Sequence, residues 1–439
     1  PRLYLTTVTT SSELPGALFK SEIAADPRAA NPIAAAQNQK RDFDLLRAAS
    51  KTTLRAGDNV WDFVAAWSYK DLDHPISPAI DQLSNDQLAA LTLTRVNDLA
   101  GHANRLKAGV MWTRGDMHAA NFVNLSGARG PLTALARTLA LNNELWAEDQ
   151  FTLGRGVTLV AGLTAAQNRR RNAQALGGTG SYTRSYHNVS PKLGLRYDTT
   201  GVQIFANVSG SYEPPSFSET GALAAPNRAQ RAVTVELGSR GTAGPLRWDA
   251  AIYHARLRNE FLSLNDAAGN PLGTINAPRT LHTGLELGAE LDLLGSSWST
   301  TPAHRLVARA AWTYGRFRFD HDPVYRDHTL AGFPPHLVRG ELTWEQRSGW
   351  YAGPTFEWVP QRAPVDFANT LFADAYALYG FRLGQRRPHG FSWFLETRNL
   401  ADARYAATTG VIADARGLDV RQFLPGDGRS VYAGVEHCW

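Results

Sequence analysis

The sequence predicts an all-β chain rolled into a transmembrane antiparallel β-barrel, with about eighteen strands present. Three observations predict it. Apolar residues alternate with period two along most of the 439 residues. Tight connectors take turns with long ones, the layout of an outer-membrane barrel. Mean hydropathy is −0.30, and no stretch approaches the roughly 20 apolar residues of a spanning helix.

Composition bounds the remaining possibilities. Hydrophobic residues at 43% and charged residues at 19% exclude a disordered chain. The single cysteine, Cys438, cannot close an intramolecular disulfide, and no Cys/His cluster offers a metal site. Net charge is +5, and only six of the basic residues are lysines. That arginine bias fits either guanidinium recognition of carboxylate and phosphate or a GC-rich genome. The 38 glycines and 23 prolines are scattered, which favours one continuous architecture, residues 1–439, over tethered domains.

Taken in order, strands are predicted at 2–9, 42–54, 59–69, 87–96, 103–113, 133–150, 156–167, 187–198, 202–213, 229–240, 246–257, 278–292, 304–318, 335–346, 351–361, 373–385, 390–399 and 429–438. Val202, Ile204, Ala206 and Val208 share one face, with Gln203, Asn207 and Ser209 on the other. Leu306, Ala308, Ala310 and Trp312 alternate with Arg305 and Arg309. Val338, Leu342 and Trp344 alternate with Arg339, Glu341 and Glu345, and Leu285, Leu287 and Leu291 with Glu286 and Glu290. Long external connectors are predicted at 10–41, 70–86, 114–132, 168–186, 214–228, 258–277, 317–334 and 400–428, and Ala, Leu and Gln runs at 22–50 and 77–100 also suit helices.

So many strands in one cylinder leave an interior too wide for side chains to fill. The inner wall must then be polar, and the outer wall apolar where lipid touches it. A propeller would repeat every 40 to 50 residues or so, and no such repeat is present. Trp350, Tyr351, Trp358, Tyr379 and Trp393 near strand ends suit interfacial girdles. The final strand places Val431, Ala433, Val435 and Trp439 on one face, resembling the signal read by barrel-insertion machinery, with His437 out of character on the lipid side.

Ordered strings extend the reading. They are SPKLGL from Ser190, YEPPSFSE from Tyr212, TVELG from Thr234, Asn276-Ala277, HTGLE from His282, GFPPH from Gly332, RNLAD from Arg398 with Tyr405, and GRSVYAGV from Gly428. Together they resemble the C-terminal barrel of TonB-dependent outer-membrane receptors. ELPGAL from Glu13 and DPR from Asp26 resemble the branch related to ferric citrate and pyrroloquinoline quinone receptors. The resemblance implies a Gram-negative outer-membrane location and energised uptake of an iron chelate, with no cofactor and no enzyme activity. It also implies 22 strands around an N-terminal plug through which the TonB complex acts. Neither plug nor TonB box is visible, so the expectation is a barrel lacking its plug and first four strands.

Anionic chelates suit guanidinium forks and aromatic contacts. Arg169, Arg170 and Arg171 with Tyr182, Arg184 and Tyr186 are predicted in one external loop, and Tyr325, Arg326 and His328 in another. The same arginines also suit lipopolysaccharide phosphates or plain solvent. Glu286, Glu290, Arg305, Arg309, Arg339 and Glu341 are predicted to line the interior, there to meet a plug, water or a ligand path. Copper remains a further candidate cargo, and a passive porin a further function. No catalytic motif is present: no Gly-x-Ser-x-Gly, no His-Glu-x-x-His, no phosphate loop. The arginines are too dispersed for a nucleic-acid surface.

Overall fold

A computed structural model describes residues 1–178, 180–219, 228–294 and 304–439. The strands are β1 (Arg2–Thr10), β2 (Asp42–Ala56), β3 (Asn59–Pro75), β4 (Ala79–Leu99), β5 (His102–Leu125), β6 (Ala128–Gly154), β7 (Val157–Leu176), β8 (Tyr182–Thr199), β9 (Val202–Glu213), β10 (Gln230–Ala243) and β11 (Leu246–Asn265). They continue with β12 (Pro271–Asp292), β13 (His304–Phe319), β14 (His336–Gln346), β15 (Trp350–Val359), β16 (Ala363–Pro364), β17 (Phe372–Ala373), β18 (Tyr376–Gln385), β19 (Gly390–Arg398), β20 (Ala406–Thr409), β21 (Phe423–Pro425) and β22 (Ser430–Cys438). Eighteen of them form one antiparallel sheet in which each strand pairs with the next barrel strand along the chain. The pairs β16–β17 and β20–β21 are small ribbons inside connectors. Period-two alternation therefore became strands, as the sequence predicts.

Tight turns gather at one end. In the Thr199-to-Val202 turn, Gly201 has φ +83°, and an added Cβ would lie 2.7 Å from the Thr242 carbonyl oxygen, so only glycine fits there. The other end is uneven. β3 to β8 run well past the predicted strand ends, and the expected long connectors 70–86, 114–132 and 168–186 are instead strand extensions joined by short turns. The 258–277 connector shrinks in the same way to the turn between Asn265 and Pro271. The reason is physical: above the lipid both faces of a strand are wet, so hydrogen bonding continues while the apolar alternation stops. The expected connector 214–228 lies largely outside the described residues.

Among the fully described connectors four stay long, and the apolar cores sit there. The first, between β1 and β2, carries α1 (Lys20–Ala25) and α2 (Pro32–Ala36), the short helices expected in this region. Glu22 accepts from the Phe19 amide at 2.9 Å, and Asn31 caps α2 from the Ile33 amide at 2.9 Å with Pro32 at the first helical position. Leu18, Ile23, Val365, Leu371, Val420 and Phe423 pack into one cluster. Leu262, Phe319, Leu330 and Phe367 form a second.

Among the described residues no ladder joins β1 to β22, and Leu3 and Val435 on those edges are 83% and 73% exposed. The ends meet above the sheet instead. Leu18 and Phe423 exchange backbone bonds of 2.8 and 3.1 Å, Asp419 accepts from the Lys20 and Ser21 amides, and Arg421 pairs with Glu22 at 2.9 Å. The first and last connectors thus clasp each other across the seam. His437 is explained as well: its ring lies 4.6 Å from Phe391 and 4.5 Å from Trp439, so it completes an aromatic cluster at the foot of β22.

Candidate functional site: the inner wall and the external rim

Direct cross-strand partners share a face, so the register shows what the inner wall carries. Arg247, Glu290, Arg309 and Glu341 are successive partners across β11 to β14, and Arg382 faces Glu396 across β18 and β19. In each of these pairs charge of one sign meets the other. Arg309 Nε lies 2.8 Å from Glu290, its Nη1 2.8 Å from Glu341 and its Nη2 3.3 Å from Glu345. Arg382 reaches Glu341 at 3.6 Å and Glu396 at 2.9 Å, and Arg398 closes on Glu396 at 2.6 Å. Arg305 bridges Asp292 and Glu345, at 2.9 and 3.4 Å. Arg339 pairs with Glu357 at 2.7 Å, and Tyr376 donates to the same carboxylate at 3.0 Å.

The result is a belt of alternating charge along the wall from β11 to β19. It borders a recess of about 700 Å³ lined by Arg309, Glu341, Arg382, Glu396, Arg398 and Tyr405. Of the interior residues expected from sequence, Glu290, Arg305, Arg309, Arg339 and Glu341 all join these pairs. Glu286 does not: it faces Ala251 and Thr313. The belt residues find partners in one another, so the wall is electrostatically satisfied on its own. Glu345, read on the charged face of its strand, joins them, and Asp292, Arg382, Glu396 and Arg398 are additions that the sequence reading lacks. Extending the same alternation through 376–398 would have found the last three.

The rim cluster differs from expectation in its setting. Arg169, Arg170 and Arg171 lie on β7, and Tyr182, Arg184 and Tyr186 on β8, rather than in a loop. Alternation splits them. Arg170 faces Arg184, with Asn168 facing Tyr186 and Asn172 facing Tyr182, on the face where Lys192 of β8 pairs with Glu148 of β6. Arg169 and Arg171 turn to the other face. Arg170 is buried and tied down: Nε donates to the Pro215 carbonyl at 3.0 Å and Nη1 to Asn142 Oδ1 at 2.7 Å. Pro214 and Pro215 end β9 because proline has no amide hydrogen for the ladder, which leaves the Pro215 carbonyl for Arg170. Beside it, Asn168 Oδ1 and the Tyr186 hydroxyl are buried with no hydrogen-bond partner among the described residues.

Tyr325 and Arg326 sit at the tip of the β13–β14 connector, a tight loop closed by mutual backbone bonds between Asp322 and Arg326. Tyr325 packs on Phe319 and Phe367, with ring centroids 5.0 and 5.5 Å away. Burial, reinforced by Asp322, Asp414 and Asp366, pushes its hydroxyl above the ordinary tyrosine pKa, so it remains a proton donor. Arg326 is exposed. His328 bonds the Phe367 carbonyl at 3.0 Å and is structural. Nearby, Asp320, His321 and Asp327 are the grouping of metal-ligand type among the described residues. Arg318 already holds Asp327 at 2.7 Å there.

Residues 8–400 match the model for the family described as TonB dependent receptor-like, beta-barrel. A search of curated proteins gives no match. Among solved structures, the ferric citrate transporter FecA in its unliganded form superposes with a TM-score of 0.79 at 15% identity, over 98% of this chain and 66% of that one. The ferric yersiniabactin uptake receptor FyuA from Yersinia pestis gives 0.75 at 15%, over 99% and 67%. The copper transporter OprC gives 0.67 at 16%, over 90% and 67%. This chain thus spans about two-thirds of the length of those proteins, and identities this low speak to fold alone. With the family model covering most of its length, the chain belongs to the β-barrel of the TonB-dependent receptors, which are receptors and transporters of the Gram-negative outer membrane and not enzymes.

Proposed function

We propose that the chain serves active uptake of an iron chelate, ferric citrate or another siderophore, as the barrel part of a receptor whose plug engages the TonB complex. What carries the reading is the rim: Arg170, Arg184, Tyr182 and Tyr186 share the inner face at the external end of β7 and β8. The exposed Arg184 guanidinium offers a bidentate contact to a chelate's carboxylates and half-exposed Tyr182 a hydroxyl and ring face, while buried Arg170 and Tyr186 form the wall behind them. Arg326, exposed on its loop, adds a first point of capture, and Tyr325 holds that loop in place. The belt lower down is the polar wall past which a released chelate moves. Pyrroloquinoline quinone and copper are the alternative cargoes, and passive conduction the alternative mode. Insertion would proceed through the barrel-assembly machinery reading β22 and Trp439.

The test is uptake of radiolabelled ferric citrate by cells carrying the gene at its own locus. Deleting TonB is expected to abolish uptake, and Arg184→Ala with Arg326→Ala to reduce it by roughly tenfold at limiting chelate. Uptake that persists without TonB, or steady current through planar bilayers, would replace the receptor reading with a porin.

A further inference from the structure

The inner face at the external end of β6 to β9 holds positive charge without a counter-charge. Arg170 and Arg184 are direct cross-strand partners, and like charges so placed repel. Among the described residues neither guanidinium enters an ion pair. Arg184 is exposed, so water screens it. Arg170 has no such relief: it is 7% exposed, and burial presses its pKa below the ordinary arginine value. Its hydrogen bonds end on neutral oxygens, the Pro215 carbonyl at 3.0 Å, Asn142 Oδ1 at 2.7 Å and the Arg169 carbonyl at 3.2 Å. Glu219 acts on it only through space, and accepts from the Ser216 amide at 2.7 Å instead.

Unmet donors surround this cation. The hydroxyls of Tyr186 and Tyr212 are sealed from solvent and bond to nothing. Tyr186 sits diagonally beside Arg170, because its direct partner is Asn168. Tyr212 lies near the end of β9, three residues before the Pro215 whose carbonyl Arg170 holds. Each phenol feels the Arg170 charge, yet burial pushes both above the ordinary tyrosine range, Tyr212 to about 12, so both keep their protons. Asn168 Oδ1, equally buried, is an unmet acceptor beside them.

A buried cation without a counter-ion and two buried hydroxyls without an acceptor are costly separately. One small anion answers all three. We propose that a halide-sized inorganic anion such as chloride sits between Arg170 and the hydroxyls of Tyr186 and Tyr212. A water that donates one proton to the ion and the other to Asn168 Oδ1 completes the set. The two hydroxyls are closed to solvent, so the carboxylate of a bulky cargo does not reach them. The ion ties β7 and β8 to the end of β9 and pins segment 214–219 against the wall. It also offsets the repulsion between Arg170 and Arg184, which leaves Arg184 available at the rim. The inference needs no particular cargo, so it and the chelate reading fail separately.

The test is hydrogen exchange at the Ser216, Phe217 and Ser218 amides of the folded 439-residue chain in neutral detergent. Sodium chloride, sodium bromide and sodium gluconate are compared at one ionic strength. Chloride and bromide are expected to slow exchange about tenfold relative to gluconate, along a saturating curve. Tyr186→Phe with Tyr212→Phe keeps both rings and removes both donors, and is expected to abolish the halide effect. Arg184→Gln is expected to retain it. Crystals of the unaltered chain grown in bromide are expected to show an anomalous peak beside the Arg170 guanidinium, a result that stands even where a variant fails to fold. Equal exchange in chloride and gluconate, a halide effect that survives the double phenylalanine variant, or bromide crystals without that peak would overturn the proposal. So would protection by citrate where chloride gives none, which would assign these donors to the cargo.

Discussion

Replacing Asp366 by alanine is expected to release the external cap while leaving the barrel standing. Asp366 is fully buried in the connector between β15 and β18. Its carboxylate accepts from the Thr370 and Leu371 amides at 2.8 and 2.9 Å, the Thr370 hydroxyl at 2.5 Å, and the Ala415 amide of the last connector at 3.1 Å. Thr370 Oγ1 in turn accepts from the Gly417 amide at 3.0 Å. Alanine leaves the Leu371 and Ala415 amides without their buried partner, while the donors of exposed Thr370 can turn to water. The cost is about 1 to 3 kcal/mol for each donor left buried and unmet, reduced by whatever local opening lets water in. Hydrogen exchange of the Thr370, Leu371 and Ala415 amides is expected to accelerate by a hundredfold or so. Limited proteolysis should cut within 361–374 and 411–418, with the barrel's heat-resistant mobility on gels unchanged. Protection equal to the parent would show that the cap is held by its apolar clusters alone.

Arg309→Met is expected to weaken the wall itself. Three carboxylates, Glu290, Glu341 and Glu345, converge on this guanidinium. Methionine keeps the length of the side chain and removes the only cation shared by all three. The acids then repel one another across neighbouring strands. Because the Arg309 side chain is 34% exposed, solvent screens part of that repulsion, and the loss is expected near 2 kcal/mol. The measurement is the urea midpoint of folding in detergent, and Arg309→Met with Glu341→Gln should recover about half of the loss. An unchanged midpoint in the single variant would mean that the neighbouring guanidiniums of Arg247, Arg305 and Arg382, with interior water, satisfy these acids without Arg309.

The wall was legible in the sequence because lipid on one side and water on the other impose opposite chemistry on successive residues. Glu290, Arg309 and Glu341 fall on one face for the same reason that Leu287, Ala310 and Leu342 fall on the other. That rule lapses where lipid ends. Strands β3 to β8 extend beyond the predicted ends, and Arg169 to Arg171 lie on a strand rather than in the predicted loop, because residues such as Asn85, Asp86, Arg114 and Asp116 carry no two-sided contrast. The cap was not legible either. Leu18 stands more than 300 residues before Val365, Leu371 and Phe423, which come from two further connectors, and no local pattern brings them together. Asp366 reads as one more loop aspartate until the fold buries it. The division of the rim arginines into an inward Arg170 and outward Arg169 and Arg171 needed only the knowledge that the strand continues.

The central claim is a wall with lipid outside and water inside, and alternate positions of one strand test it most directly. Spin labels at Val110 and at Met111, each as a single cysteine in a Cys438→Ser background reconstituted in bilayers, report collisions with oxygen and with a water-soluble nickel chelate. Oxygen is expected to dominate at Val110 and the nickel chelate at Met111, with Leu145 and Glu144 repeating the contrast on the next strand. Equal exposure of Val110 and Leu145 to the aqueous reagent, or shielding of both from either probe, would contradict it.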